Sequence, residues 1–184
     1  MVGYFTRQFF HDKKKVQYKF FLITKFGNID IRGVYQELNL FDSMFMPCVK
    51  GDILINDSIG LADKLVLDGS EYIIITISKD EENNQTHFDR TFRVVSISSR
   101  QNTKQNSESY ILHFVSDEMM FSDQQLVNQA YKTTYSDIVK KILSVYLKTP
   151  SNKLNGIIET STGIRDVVIP NLRPLDAIDW CAKR

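Results

Sequence analysis

Cysteine is scarce in this chain. The 184 residues hold two, Cys48 and Cys181, far apart and in no C-x-x-C arrangement. This excludes a disulfide-stapled scaffold and a cysteine-based zinc site, so both thiols are expected to be buried and reduced, as in a protein folded in the cytosol. An excess of either charge is missing too. Lys and Arg number 23 against 22 Asp and Glu, a net charge of +1, which argues against a dedicated nucleic-acid binder with its basic surplus. No apolar run approaches the roughly 18 residues needed to cross a bilayer. The opening "MVGYFTRQFFHDKKK" carries its charges after its aromatics, the reverse of a secretory signal. No internal repeat or low-complexity tract is present.

Recognisable chemistry is also absent. The three histidines, His11, His87 and His113, are not spaced as metal ligands, and there is no H-E-x-x-H, Walker A loop, G-x-G-x-x-G or G-x-S-x-G. The carboxylates Asp80, Glu81 and Glu82 sit in "KDEENNQTH", which reads as a solvated hairpin tip. His113 reads as a half-buried strand residue. No catalytic residue, cofactor or metal ligand is assigned, and a non-enzymatic assembly or binding module is expected.

What the sequence does have is core material: 42% hydrophobic and 11% aromatic residues, enough to build a packed interior. Residues 16–115 read as strands. "VQYKFFLIT" (Val16 to Thr24) is rich in β-branched and aromatic residues and runs into the turn signal "KFGN". "GNIDIRGVYQELNLF" alternates, with Ile29 and Ile31 on one face and Asp30 and Arg32 on the other. "KGDILINDSIG" carries Ile53 and Ile55, and Asp68-Gly69 marks a tight turn before a strand at Tyr72 to Ile77. "RTFRVVSISS" and "SESYILHFVS" follow, joined by the polar "RQNTKQN", which reads as a hairpin loop. Six or seven strands without an intervening helix predict an antiparallel sandwich or small barrel. Its hydrophobic face is expected to include Phe20, Leu22, Ile73, Ile75, Phe92, Val94, Leu112 and Phe114.

Near Ser116 the period changes. "TTYSDIVKKILSVYLKT" puts Ile138, Ile142 and Tyr146 on one helical face over Tyr135 to Leu147, with Thr134 and Asp137 as a capping pair and Pro150 as the stop. The chain closes on "DVVIPNLRPLDAIDWCAKR", where Pro174 suits the first position of a helix. Leu175, Ile178 and Ala182 make its apolar stripe, and so short a helix must bury that stripe against something. The Tyr135 to Leu147 helix is the nearest partner in sequence. The domain reading is therefore a β-barrel over 1–118 and an α-rich segment over 119–184, taken as the first part of a further domain.

"SYILHFVSDEMMFSDQQLVNQAYKTTYSDIVKKILSVYL", followed by "TSTGIRDVVIPNLRPLDAIDWCAKR", resembles the baseplate hub proteins of contractile-tailed bacteriophages. The likeness lies in the order of features. A strand ends at Phe114 to Ser116, a helix opens on Asp137 to Val139, and Ile169 to Asn171 precede Pro174 and a helix bearing Trp180. "GLADKLVLDGSEYIIITI" extends it, less specifically, so that it covers roughly Val34 to Arg184. The resemblance implies an α+β chain whose N-terminal part is an antiparallel split β-barrel of tail-tube type. It also implies a structural virion protein assembled in the host cytoplasm, a hub subunit forming a homotrimer that connects the central spike to the tail tube. Other baseplate proteins and the tape-measure protein would be its further neighbours.

Three apolar clusters suit such contacts: Phe5, Phe9 and Phe10; "LFDSMFMP" (Leu40 to Pro47); and "EMMF" (Glu118 to Phe121). The runner-up reading is an OB-like nucleic-acid-binding module, prompted by Lys13 to Lys15 among Phe9, Phe10, Tyr18, Phe20 and Phe21. A small hydrolase with an unrecognised site comes third.

Overall fold

The computed structural model describes residues 16–43, 45–64, 70–79, 86–104, 107–150, 154 and 157–184. They form two compact units, Met1–Asp117 and Glu118–Arg184.

The first unit is one antiparallel sheet of seven strands: β1 (Val16–Thr24), β2 (Gly27–Asp30), β3 (Tyr35–Phe41), β4 (Lys50–Asp57), β5 (Tyr72–Lys79), β6 (Thr86–Lys104) and β7 (Ser107–Ser116), with a short helix α1 (Leu61–Lys64) after β4. Their order across the sheet is β2-β1-β5-β6-β7-β4-β3. The β1–β2 turn is closed by the Thr24 hydroxyl, which donates to the Gly27 carbonyl (3.1 Å) and accepts from the Phe26 N–H (3.1 Å). Gly27 has φ +128°, open to glycine and strained for any other residue.

"GNIDIRGVYQELNLF" is not one strand but two. The Asp30 carboxylate accepts the Arg32 N–H at 3.0 Å and its guanidinium at 2.9 Å. This Asx-type turn takes the backbone out of the ladder at Ile31 to Val34.

That break decides the shape. Strands β2 and β3 are opposite edges of the sheet, yet the chain from Asp30 to Tyr35 can reach at most about 17 Å. Seven flat strands spaced about 4.8 Å apart would hold those edges roughly 29 Å apart. The sheet therefore has to curl. Its two sides are fastened through the turn, where the Ile31 N–H donates to the Phe20 carbonyl (3.0 Å) and the Asn56 N–H to that of Val34 (2.8 Å). Phe20 and Tyr35 meet edge-on across the same gap at 4.7 Å. The opposite bend is in β6. Thr86 to Arg93 pair with β5, whereas Phe92 to Lys104 pair with β7, and the register slips between Val94 and Ser96. Strands that change partners at a bulge are how a sheet turns a corner.

The curled sheet encloses one core. All eight residues expected on the hydrophobic face are 2% exposed or less, together with Ile31, Ile53, Ile55 and Tyr110. The polar "RQNTKQN" is largely strand rather than hairpin loop, since Gln101 pairs with Ser109, Asn102 with Glu108 and Lys104 with Ser107. Arg100 reaches the Glu108 carboxylate at 2.7 Å, so this segment is polar because the ribbon is wet.

In the second unit, α2 (Asp117–Asp123, its first residue belonging to unit one), β8 (Val127–Thr133), α3 (Tyr135–Val145), β9 (Arg165–Leu172) and α4 (Pro174–Ala182) follow in order. Strands β8 and β9 make a two-stranded antiparallel sheet. One face of it packs with α3 and α4 around Val127, Tyr131, Ile138, Ile142, Val167, Ile169, Ala177 and Cys181. The Thr134 hydroxyl accepts the Asp137 N–H (3.3 Å), the expected N-cap. Asp137 does not complete the capping box; its carboxylate takes the Thr133 hydroxyl at 2.9 Å.

The terminal helix has its packing partner within this unit, and its stripe is shifted from the expected one. Leu175, Ala177 and Cys181 are buried while Ala182 is exposed. Both cysteines are buried, and neither is in a disulfide.

Candidate assembly surface

Ser98, His113 and Asp52 stand on the neighbouring strands β6, β7 and β4, and at first sight suggest a nucleophile, base and acid. Ser98 Oγ is 2.6 Å from His113 Nε2, and Asp52 is directly opposite His113 in the ladder. A triad needs the acid on the imidazole's other nitrogen. Asp52 instead accepts from Asn39 Nδ2 at 2.9 Å, and that amide also donates to Glu37 at 3.1 Å. The group is a polar seam across the outer face of the sheet. Among the described residues, no three His, Cys, Asp or Glu side chains gather as a metal site, and no helix is long and apolar enough to cross a membrane. His11 and Lys13 to Lys15 lie outside the described residues, as do Asp68-Gly69 and the Asp80 to Glu82 tip.

One buried charge is structural. Asp57, 3% exposed at the end of β4, accepts the Ile59 N–H on one oxygen (3.0 Å) and the Ala62 N–H on the other (2.8 Å), with the Tyr110 hydroxyl at 3.4 Å. Burial alone would push its carboxyl up. The N–H groups of Leu61, Ala62 and Ile59, helped by Tyr110, more than offset that and hold it below the usual carboxylate range. Tyr110 is driven well above an ordinary phenol, first by burial and then by the Asp57 charge. This pair fixes α1, whose Leu61 and Ala62 join the core. A second clamp holds the far end of the unit: Arg93 bonds Asp117 at 2.9 Å and lies 4.5 Å over the Tyr72 ring.

The surface that remains available is apolar and at the sheet's margins. Among the described residues, strand β3 is paired on one side only, to β4. Off its end come Phe41 (41% exposed), Phe45 (85%) and Met46 (37%), while Leu40 packs on the core and Cys48 is buried. Of the "LFDSMFMP" cluster, Phe41, Phe45 and Met46 are thus exposed beside this edge; Met44 lies outside the described residues, as do Phe5, Phe9 and Phe10.

The "EMMF" cluster is helical. It forms the body of α2, half-buried, with Lys148 Nζ 4.9 Å from the Phe121 ring. Phe26, 71% exposed at the tip of the β1–β2 hairpin, was missed by sequence reasoning. "KFGN" had already given it away, because an aromatic inside a two-residue turn has no core to enter.

A curled antiparallel sheet followed by a small helix-covered ribbon is a fold this chain shares with a tail protein of known structure. The tail protein from Neisseria meningitidis MC58 superposes on 90% of this chain with a TM-score of 0.52 at 16% identity, and the match takes in 45% of that protein. This chain therefore spans less than half the length of the tail protein it matches. Looser likenesses, on which nothing here rests, are to the Francisella PdpA-VgrG complex (TM-score 0.45, 10% identity, 85% of this chain and 23% of that one) and to the E. coli c3393 protein, a type VI secretion component (TM-score 0.41, 11% identity, 89% and 38%). No family model matches the sequence, and no curated protein matches it. The likeness to tail assemblies read from the sequence is borne out in the fold.

Proposed function

We propose that the chain is a structural subunit of a contractile tail baseplate, of the hub type, and no enzyme. In this reading residues 1–118 are a split β-barrel of tail-tube type and residues 119–184 open an α-containing domain. Three copies form a ring that joins the central spike to the tail tube in the virion, beside other baseplate proteins and the tape-measure protein. The observation that carries it is the β3 edge, unpaired among the described residues, with Phe41, Phe45 and Met46 exposed beside it. Unpaired strand edges and exposed aromatic or Met side chains are what a ring subunit keeps open for its neighbours. The tail-protein fold supports the same reading.

The test is the mass of the protein in solution and in an electron-microscopic image of the assembly, for wild type and for Phe45→Asp. A trimer, or binding to a trimeric spike, lost in the variant is the expected result. A wild-type monomer that ignores spike and tube would refute the hub reading. Affinity for single-stranded nucleic acid that falls steeply with salt would replace it with the nucleic-acid one.

A further inference from the structure

Among the described residues, the two-stranded sheet of the second unit is covered by α3 and α4 on one face only. Its other face is built of outward residues in register: Ala130 stands opposite Val168, and Lys132 opposite Asp166. Val168 is 64% exposed. The Lys132 and Asp166 side chains are 78% and 80% exposed and 4.0 Å apart. Asn128 and Pro170 complete the face, and both are exposed. A two-stranded ribbon with an apolar centre left wet is marginal by itself. Extension of β9 at its edge is hindered by Pro170, which has no N–H to offer a new strand. The face remains.

We propose that this face is a self-association surface whose occupant is the same face of a second copy of the chain, across a two-fold axis running along the strands between β8 and β9. Only that axis exchanges the two strands. It lays β8 of one copy over β9 of the other, so Ala130 meets Val168 of the second copy, small against large. Lys132 meets Asp166 of the second copy, and Asp166 meets its Lys132. A two-fold axis across the strands would instead set the Lys132 and Asp166 row over Asn128 and Pro170, leaving both charges unanswered. The patch is small beside a standard interface, so the dimer is weak and forms at high-micromolar concentration. It involves none of the unit-one residues proposed for the ring.

The charges supply the test, because each can be inverted separately. Copies carrying Lys132→Asp present two negative charges and copies carrying Asp166→Lys two positive ones. Each alone should sediment as a monomer at concentrations where the wild type dimerises, and an equimolar mixture should dimerise again. Both side chains are mostly exposed, so folding should be unaffected, which far-UV circular dichroism checks. A short bismaleimide should in addition join Ala130→Cys copies to Val168→Cys copies when the two are mixed. Self-association unchanged by either charge inversion would overturn this contact while leaving the ring reading intact. A wild type without concentration-dependent dimers, or a mixture of the charge variants that stays monomeric, would overturn it as well.

Discussion

Gly51 is the position where the first unit tolerates least. It lies in β4 opposite Leu40 of β3 and Phe114 of β7, and the Phe114 ring folds over it. A Cβ placed there would be 2.5 Å from the Asn39 carbonyl oxygen and 2.5 Å from two atoms of the Phe114 ring. Relaxed non-bonded contacts are about 3.5–4.0 Å, so Gly51→Ala demands a shift of roughly 1 Å. Neither neighbour can give it freely. The carbonyl belongs to the backbone of a strand in the sheet, and the ring is 1% exposed and packed 5.1 Å from Phe92. Overpacking of this kind costs about 1–3 kcal/mol, and the upper half applies because the obstacle is backbone on one side. For a chain of this size that corresponds to a melting point lower by roughly 4–12 °C.

Urea unfolding followed by far-UV circular dichroism, to which the seven-stranded sheet contributes strongly, would measure it. Phe114→Leu in the same chain should recover part of the loss, since it removes one of the two clashes and makes the pair non-additive. A Gly51→Ala protein within about 0.5 kcal/mol of wild type, or a double variant whose losses simply add, would show that the ring does not lie where described.

Phe114→Ala removes the same ring and leaves a cavity beside Phe92, with an expected loss of about 3–5 kcal/mol in the same assay; a loss under about 1 kcal/mol would place the side chain outside the core. Asp57→Asn should cost about 1–3 kcal/mol at neutral pH, because an amide cannot accept on both sides from the Ile59 and Ala62 N–H groups. The folded-state pKa of Asp57 is lowered, so the wild-type advantage is full above the ordinary carboxylate value near 4. It fades as pH falls through the folded value, and a gap between the two proteins that stays constant down to pH 2 would refute the role of the charge. Thr134→Ala should lower stability by about 1 kcal/mol through loss of the α3 N-cap, seen as a shift in the emission of Trp180, which packs on the α3–α4 cluster; an unchanged midpoint would mean that the cap is replaced by another acceptor.

Much of this protein was settled by local pattern. Alternation placed Phe20, Leu22, Ile73, Ile75, Phe92, Val94, Leu112 and Phe114 on one face, and all are in the core, because a strand has two faces and only one can be dry. Thr134 and Pro174 announced helix starts through chemistry confined to a single turn. Tertiary structure alone decided what depends on residues distant in sequence. Strand β8 was not legible, since between Val127 and Tyr131 its residues are polar or small, and only pairing with β9, with α3 and α4 over one face, makes a strand of it. "RQNTKQN" looked like a loop for the same reason; its partner across the ladder, not its composition, keeps it extended. "EMMF" could not be separated from an exposed cluster, because burial depends on what a helix lands against. The curl of the sheet was equally hidden. It follows from β2 and β3 being opposite edges joined by a four-residue turn, from Ile31 to Val34, and strand order is a property of the folded chain that no local window contains.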